Sequence, residues 1–177
     1  NVLELDTHLF TDFESTGIDD NATSTAITID ASENVTLAGT VNGLEINATA
    51  TSNLGLGTGA VDSITTGDYN VGVGDYALSA TTTGYNNTAT GYQALLTNIT
   101  GAQNTVSGYQ ALHANTTGNN NVALGNNALG LNTTASQNTA TGATALYRNT
   151  TGTYNTASGY NALYSNNASF NTANGSY

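Results

Sequence analysis

His8 and His113 are the only side chains in the 177-residue chain suited to proton transfer near neutral pH. His8 lies among Val2, Leu3, Leu5, Leu9, Phe10 and Phe13 and reads as a packing residue of a docking segment. His113 reads as a coil-surface residue of the repeat. Nine of the twelve acids, Glu4, Asp6, Asp12, Glu14, Asp19, Asp20, Asp30, Glu33 and Glu45, fall in the first 49 residues. Asp62, Asp68 and Asp75 follow, and residues 76–177 carry no carboxylate side chain, so they hold no carboxylate pair for sugar hydrolysis. Asp19-Asp20 could face a cation, but a solvated turn accounts for the pair. Cys is absent, which excludes a thiol nucleophile and a thiolate metal site. Gly55-Leu56-Gly57-Thr58-Gly59 looks like a phosphate loop, but no Lys and no helical pattern follow it. No catalytic residue, metal ligand or cofactor is expected. Arg148 is the single base, and one cation cannot neutralise a phosphate backbone, so nucleic acid is excluded as a partner.

Two further residue types could carry binding. Asn-x-Thr/Ser sequons occur at Asn21, Asn34, Asn47, Asn86, Asn98, Asn115, Asn132, Asn149, Asn167 and Asn174. Asn98, Asn115, Asn132 and Asn149 are spaced by 17 and form one candidate glycosylation ladder, although a chain this rich in Asn and Thr produces the motif unaided. All ten Tyr lie at or after Tyr69. Tyr92, Tyr109 and Tyr160 are candidate glycan contacts, with packing between copies of the chain as the stronger reading.

The same spacing of 17 organises everything after residue 50. Asn recurs at 53, 70, 87, 104, 121, 138 and 155, giving the column Asn53, Asn70, Asn87, Asn104, Asn121, Asn138, Asn155. A Gly column holds Gly57, Gly74, Gly91, Gly108, Gly125, Gly142 and Gly159. An Ala column three residues on is followed by Val61, Leu78, Leu95, Leu112, Leu129, Leu146 and Leu163. His113 falls just beyond this Leu column, beside Ser79, Leu96 and Gly130 in equivalent places. After Leu163 one residue is lost and the pattern resumes at Asn171.

A 17-residue unit is too short for a two-helix repeat. Thr (33), Asn (26), Ala (24) and Gly (20) fill over half the chain, and three of the four are poor helix formers. The expected fold is all-β: a β-solenoid or β-roll of about 7.5 coils over 50–177, each coil of two short strands and two turns. Seventeen residues run about 55 Å around a coil, and coils stack at about 4.8 Å. Such a coil has two Ala-sized residues and one Leu against an ordering cost of about 1–2 kcal/mol per residue. Self-association is therefore expected, with Leu or Tyr columns buried between copies. Residues 1–49 form a separate acidic, β-rich docking segment. Ala26–Asp30 and Val35–Leu37 read as short strands, and Asn42-Gly43 marks a hairpin.

The stretch Asn121-Val122-Ala123-Leu124-Gly125-Asn126-Asn127-Ala128 resembles the head repeats of trimeric autotransporter adhesins. The longer unit in Gly84–Gly118 resembles repeats of phage tail fibres, and residues 15–30 resemble fibre segments that precede such shafts. The resemblance implies a homotrimer of parallel β-rolls in a virion tail fibre, bearing a receptor-binding tip towards a host surface. Its partners would be further copies, other virion proteins and a host glycan or protein. A cleaved C-terminal chaperone often follows such shafts, and no segment here matches one. The alternatives are a bacterial adhesin or self-assembling surface filament of the same fold, and an ice-binding solenoid. Adjacent pairs such as Thr116-Thr117 and Thr133-Thr134 do not supply the alternating Thr-x-Thr face that ice binding wants. No apolar run is long enough to span a membrane, no secretory leader is visible, and the start at Asn1 points to a processed chain or a fragment.

Overall fold

The computed structural model describes residues 52–176, together with the backbone of four strands between 27 and 49. The chain forms two compact units, residues 1–38 and 39–177. In the first, β1 (Ile27–Ile29) pairs antiparallel with β2 (Val35–Leu37). In the second, β3 (Thr40–Val41) and β4 (Leu44–Thr49) form the hairpin around Asn42-Gly43, and β4 pairs antiparallel with β5 (Asn53–Leu56). Seven three-residue strands follow in parallel: β6 (Val71–Val73), β7 (Thr88–Thr90), β8 (Thr105–Ser107), β9 (Val122–Leu124), β10 (Thr139–Thr141), β11 (Thr156–Ser158) and β12 (Thr172–Asn174). The ten strands form one sheet in unbroken chain order from β3 to β12. The eight parallel strands, one per coil, make the second unit a β-solenoid.

Each coil has one strand, not the two expected. The Ala-Leu stretch forms turns, with Ala111 N–H donating to Gly108 O (3.3 Å) and Asn115 N–H to Leu112 O (3.3 Å). The reason is the backbone of the Leu column: Leu112 has φ 49° and Leu129 φ 52°, a left-handed conformation no strand accommodates. Four residues per coil take positive φ; between 104 and 120 they are Gly108, Gln110, Leu112 and Asn120. At Gly108 no side chain fits, since an added Cβ would lie 2.4 Å from Gly125 O in the next coil. Left-handed geometry costs a non-glycine residue about 1–2 kcal/mol. Full burial of a Leu side chain returns about 1.5–3 kcal/mol, which offsets that cost in the Leu column.

And it is inside a single chain. Leu78, Leu95, Leu112, Leu129 and Leu146 are fully buried, with the Ala column beside them and the central strand residues Ala89, Val106, Ala123, Ala140 and Ala157. Leu163 packs half-buried against the same cluster. The expectation that Leu columns lie between copies is corrected: buried Asn side chains fill the interior that the aliphatic residues leave, so one coil closes on itself. Replacement of Leu112 by Ala is expected to cost about 2–5 kcal/mol in urea unfolding. Replacement of exposed Thr117 by Ala should stay within about 0.5 kcal/mol. Equal losses would show the faces to be misassigned.

Candidate functional site

The repeated Asn residues do structural chemistry. In the first column, Asn121 N–H donates to Asn104 Oδ1 (3.0 Å), and Asn121 Nδ2 donates to the same oxygen (3.2 Å). Asn121 Nδ2 also reaches across its own coil to Ala135 O at 2.9 Å. The equivalent cross-coil bond runs from Asn53 to Gly67, Asn70 to Gly84, Asn87 to Gly101, Asn104 to Gly118 and Asn138 to Gly152. Each Asn thus ties its strand both to the coil below and to the far corner of its own coil.

The candidate glycosylation ladder is a second set of such braces. Asn98, Asn115, Asn132 and Asn149 are fully buried. Asn115 Nδ2 donates to Gly118 O (3.0 Å) and to Asn98 Oδ1 (2.9 Å), and Asn132 Nδ2 donates to Ala135 O (3.1 Å) and Asn115 Oδ1 (2.9 Å). The glycosylation reading is corrected at these four positions: the nitrogen that a glycan would need is inside and bonded. The carbonyl of Gly118 accepts from Asn104 and Asn115 together, which uses both of its lone pairs. The ladder stops at Asn132, whose Oδ1, like that of Asn149, is buried with no partner. The sequons at Asn86, Asn167 and Asn174 are exposed.

Outside this core, the tyrosines separate into rows. Tyr92 and Tyr109 stack at 5.5 Å between centroids, and Tyr76 meets Tyr92 edge-on at 6.4 Å. Tyr147 stacks on Tyr164, with Arg148 over the Tyr164 ring, and Tyr154 stacks on Phe170. Tyr160 shares a column with Tyr92 and Tyr109 but stands three coils from Tyr109, so the three do not form one site. Tyr92 and Tyr109 cover one face of each other's ring, and both remain exposed, at 42% and 49%. A shallow depression is lined by Asn161, Leu163, Tyr164, Ser165 and Asn166.

A third surface was missed in the sequence. The strand residues flanking the buried central position point outward: Thr88 and Thr90 around Ala89, Thr105 and Ser107 around Val106, Thr139 and Thr141 around Ala140, Thr156 and Ser158 around Ala157. This is an alternating Thr-x-Thr face, whose absence counted against ice binding. It was legible in N-T-A-x-G once the Ala of that motif was assigned to the interior. The adjacent threonines do something else: Thr116 N–H, Thr117 N–H and Thr116 Oγ1 all donate to Thr133 O, at 2.8, 3.3 and 3.1 Å.

Of the residues considered for catalysis, His8 and Asp19-Asp20 lie outside the described residues. His113 is half-buried on the coil flank, and burial lowers its pKa below the usual 6.5. Gly55–Gly59 runs through β5 into a corner. Among the described residues no three His, Cys, Asp or Glu side chains converge to hold a metal, and no helix is long and apolar enough to cross a membrane. No family of known proteins, no curated protein and no solved structure matches the chain.

Two outcomes follow from this geometry. Asn121→Ala leaves the buried Asn138 N–H without its acceptor, while Ala135 O keeps the bond from Asn132 Nδ2, so the loss is about 1–3 kcal/mol in an unfolding titration. Asn121→Asp should be worse near neutral pH, because it buries a charge and sets an oxygen against Asn104 Oδ1 and Ala135 O, the two acceptors that the Asn121 Nδ2 serves. His113 is neutral in the fold below its usual titration point, so the unfolded chain takes up a proton first as pH falls. Its contribution is complete above 6.5 and is lost as pH drops from there towards the lowered folded value. Melting temperatures across that window should fall less for His113→Gln than for the parent; parallel curves would remove His113 as a cause.

Proposed function

We propose that the chain is a structural segment of a phage tail fibre, assembled as a homotrimer, that holds a receptor-binding tip away from the virion. The observation that carries this reading is the in-register parallel ladder: each 17-residue unit adds one coil, braced to the last by the same Asn bonds, so length is the property the sequence repeats. The lack of carboxylate, thiol and Lys side chains after residue 75 supports a mechanical role over a catalytic one. The likeness of Gly84–Gly118 to fibre repeats supports the virion, with an extracellular adhesin of the same fold as the alternative location.

Trimer assembly now rests on the outer rows, since the Leu column is internal. Tyr76, Tyr92 and Tyr109 are each over 40% exposed, and such a row of amphipathic rings suits packing against another copy. Host glycan contact is proposed for Tyr92, Tyr109 and Tyr160, of which Tyr160 is the most exposed at 59%. Deletion of Gly101–Thr117 should give a folded, assembled rod shorter by about 4.8 Å. Deletion of eight residues within that unit should abolish assembly. Light scattering gives the copy number, and electron microscopy of labelled particles gives the location. A stable monomer, or label on a cell surface with none on virions, would overturn the corresponding part of the reading.

A further inference from the structure

The outward face of β7–β12 has an order that a spacer does not require. Its residues sit two apart along each strand, about 6.6–6.8 Å, and repeat between strands at about 4.8 Å. Register is strict, with Thr88 opposite Thr105, Thr139 opposite Thr156 and Thr141 opposite Ser158. No charged residue occupies either outward column from β5 to β12. The strands beneath are held by the fully buried Ala and Asn columns, and β-branched Thr has few side-chain rotamers to lose.

Several occupants fail on magnitude or chemistry. Eight strands with two outward columns make a strip about 34 Å by 10 Å, well under the roughly 800 Å² per partner of a stable protein interface. The strip alone therefore does not hold a second copy. It carries no aromatic ring for a sugar face and no cation for a phosphate. What it does present is a fixed two-dimensional grid of methyl groups and hydroxyls. Immobilising one water costs about 0–2 kcal/mol, so a single hydroxyl orders little, but a rigid grid in register with a lattice recovers that cost over many waters at once.

We propose that this strand face binds ice. The methyl groups of the Thr and Val residues hold water in cages, and the Thr and Ser hydroxyls anchor those cages. Hydroxyls are carried by both outward columns on β7, β8, β10 and β11 and by Thr172 on β12; Leu54 and Leu56, Val71 and Val73, and Val122 and Leu124 interrupt them, which limits the strength of the effect.

The test uses the full chain in a nanolitre osmometer, which reads the gap between melting and freezing and the shape of a single ice crystal. The expected result is a measurable gap and faceted crystals. Thr105→Lys and Thr141→Lys, both exposed, should abolish most of the gap while circular dichroism and melting temperature stay at parental values. Thr117→Lys and Thr151→Lys, exposed at the corner, should keep it. Rounded crystals and no gap with the parent chain would overturn the proposal. So would equal loss in strand-face and corner variants, since the face would then not be the contact. Either result is independent of the fibre reading, which the deletion and imaging experiments decide.

Discussion

The bond from an Asn Nδ2 to a carbonyl fourteen residues on is what the rest of the coil depends on. A three-residue strand gains little from its own ladder, and isolated strands of this length are unstable in water. The brace converts the strand and the far corner into one closed ring. The Oδ1 of the same residue then receives the next coil's backbone N–H, so ring closure and stacking are done by one side chain. Ala suits this interior because the amide needs the space that a larger aliphatic residue would fill.

A polar core of this kind is exacting. Each buried amide that keeps its partners adds only about 0.5–1.5 kcal/mol net, whereas one left without costs about 1–3 kcal/mol. The Leu column adds a second exacting element, since burial of its side chains offsets the cost of its left-handed backbone. Specificity of register comes from these two together: a slip by one residue would expose the Leu, strand the amides and drive Gly108 and its equivalents into the next coil's backbone.

The period, the solenoid class and the hairpin at Asn42-Gly43 were legible because each shows as a sequence column or a known turn pair. The one-strand coil was not. Alternation around Ala-Leu looks extended, and nothing in the residue type Leu announces a positive φ, which tertiary packing imposes. The inward turn of Asn98, Asn115, Asn132 and Asn149 was hidden for a related reason. Asn-Thr-Thr is ordinary loop composition, and only the convergence of two amides on one carbonyl shows that it is core. The Thr-x-Thr face was hidden because adjacent threonines are the more conspicuous pattern, and those cradle the carbonyl of Thr133.

The last coil runs 16 residues to Asn171 instead of 17, and its brace survives: Asn155 Nδ2 still meets Ala168 O at 2.8 Å. The missing residue belongs to the corner that holds Thr117 and Thr151 in other coils. That corner is therefore elastic where the ring is not. Foreign sequence spliced there would hang from the coil without entering it, at a fixed pitch along the stack. The corner is accordingly the place where this scaffold could acquire loops, by evolution or by design, and display them in a line.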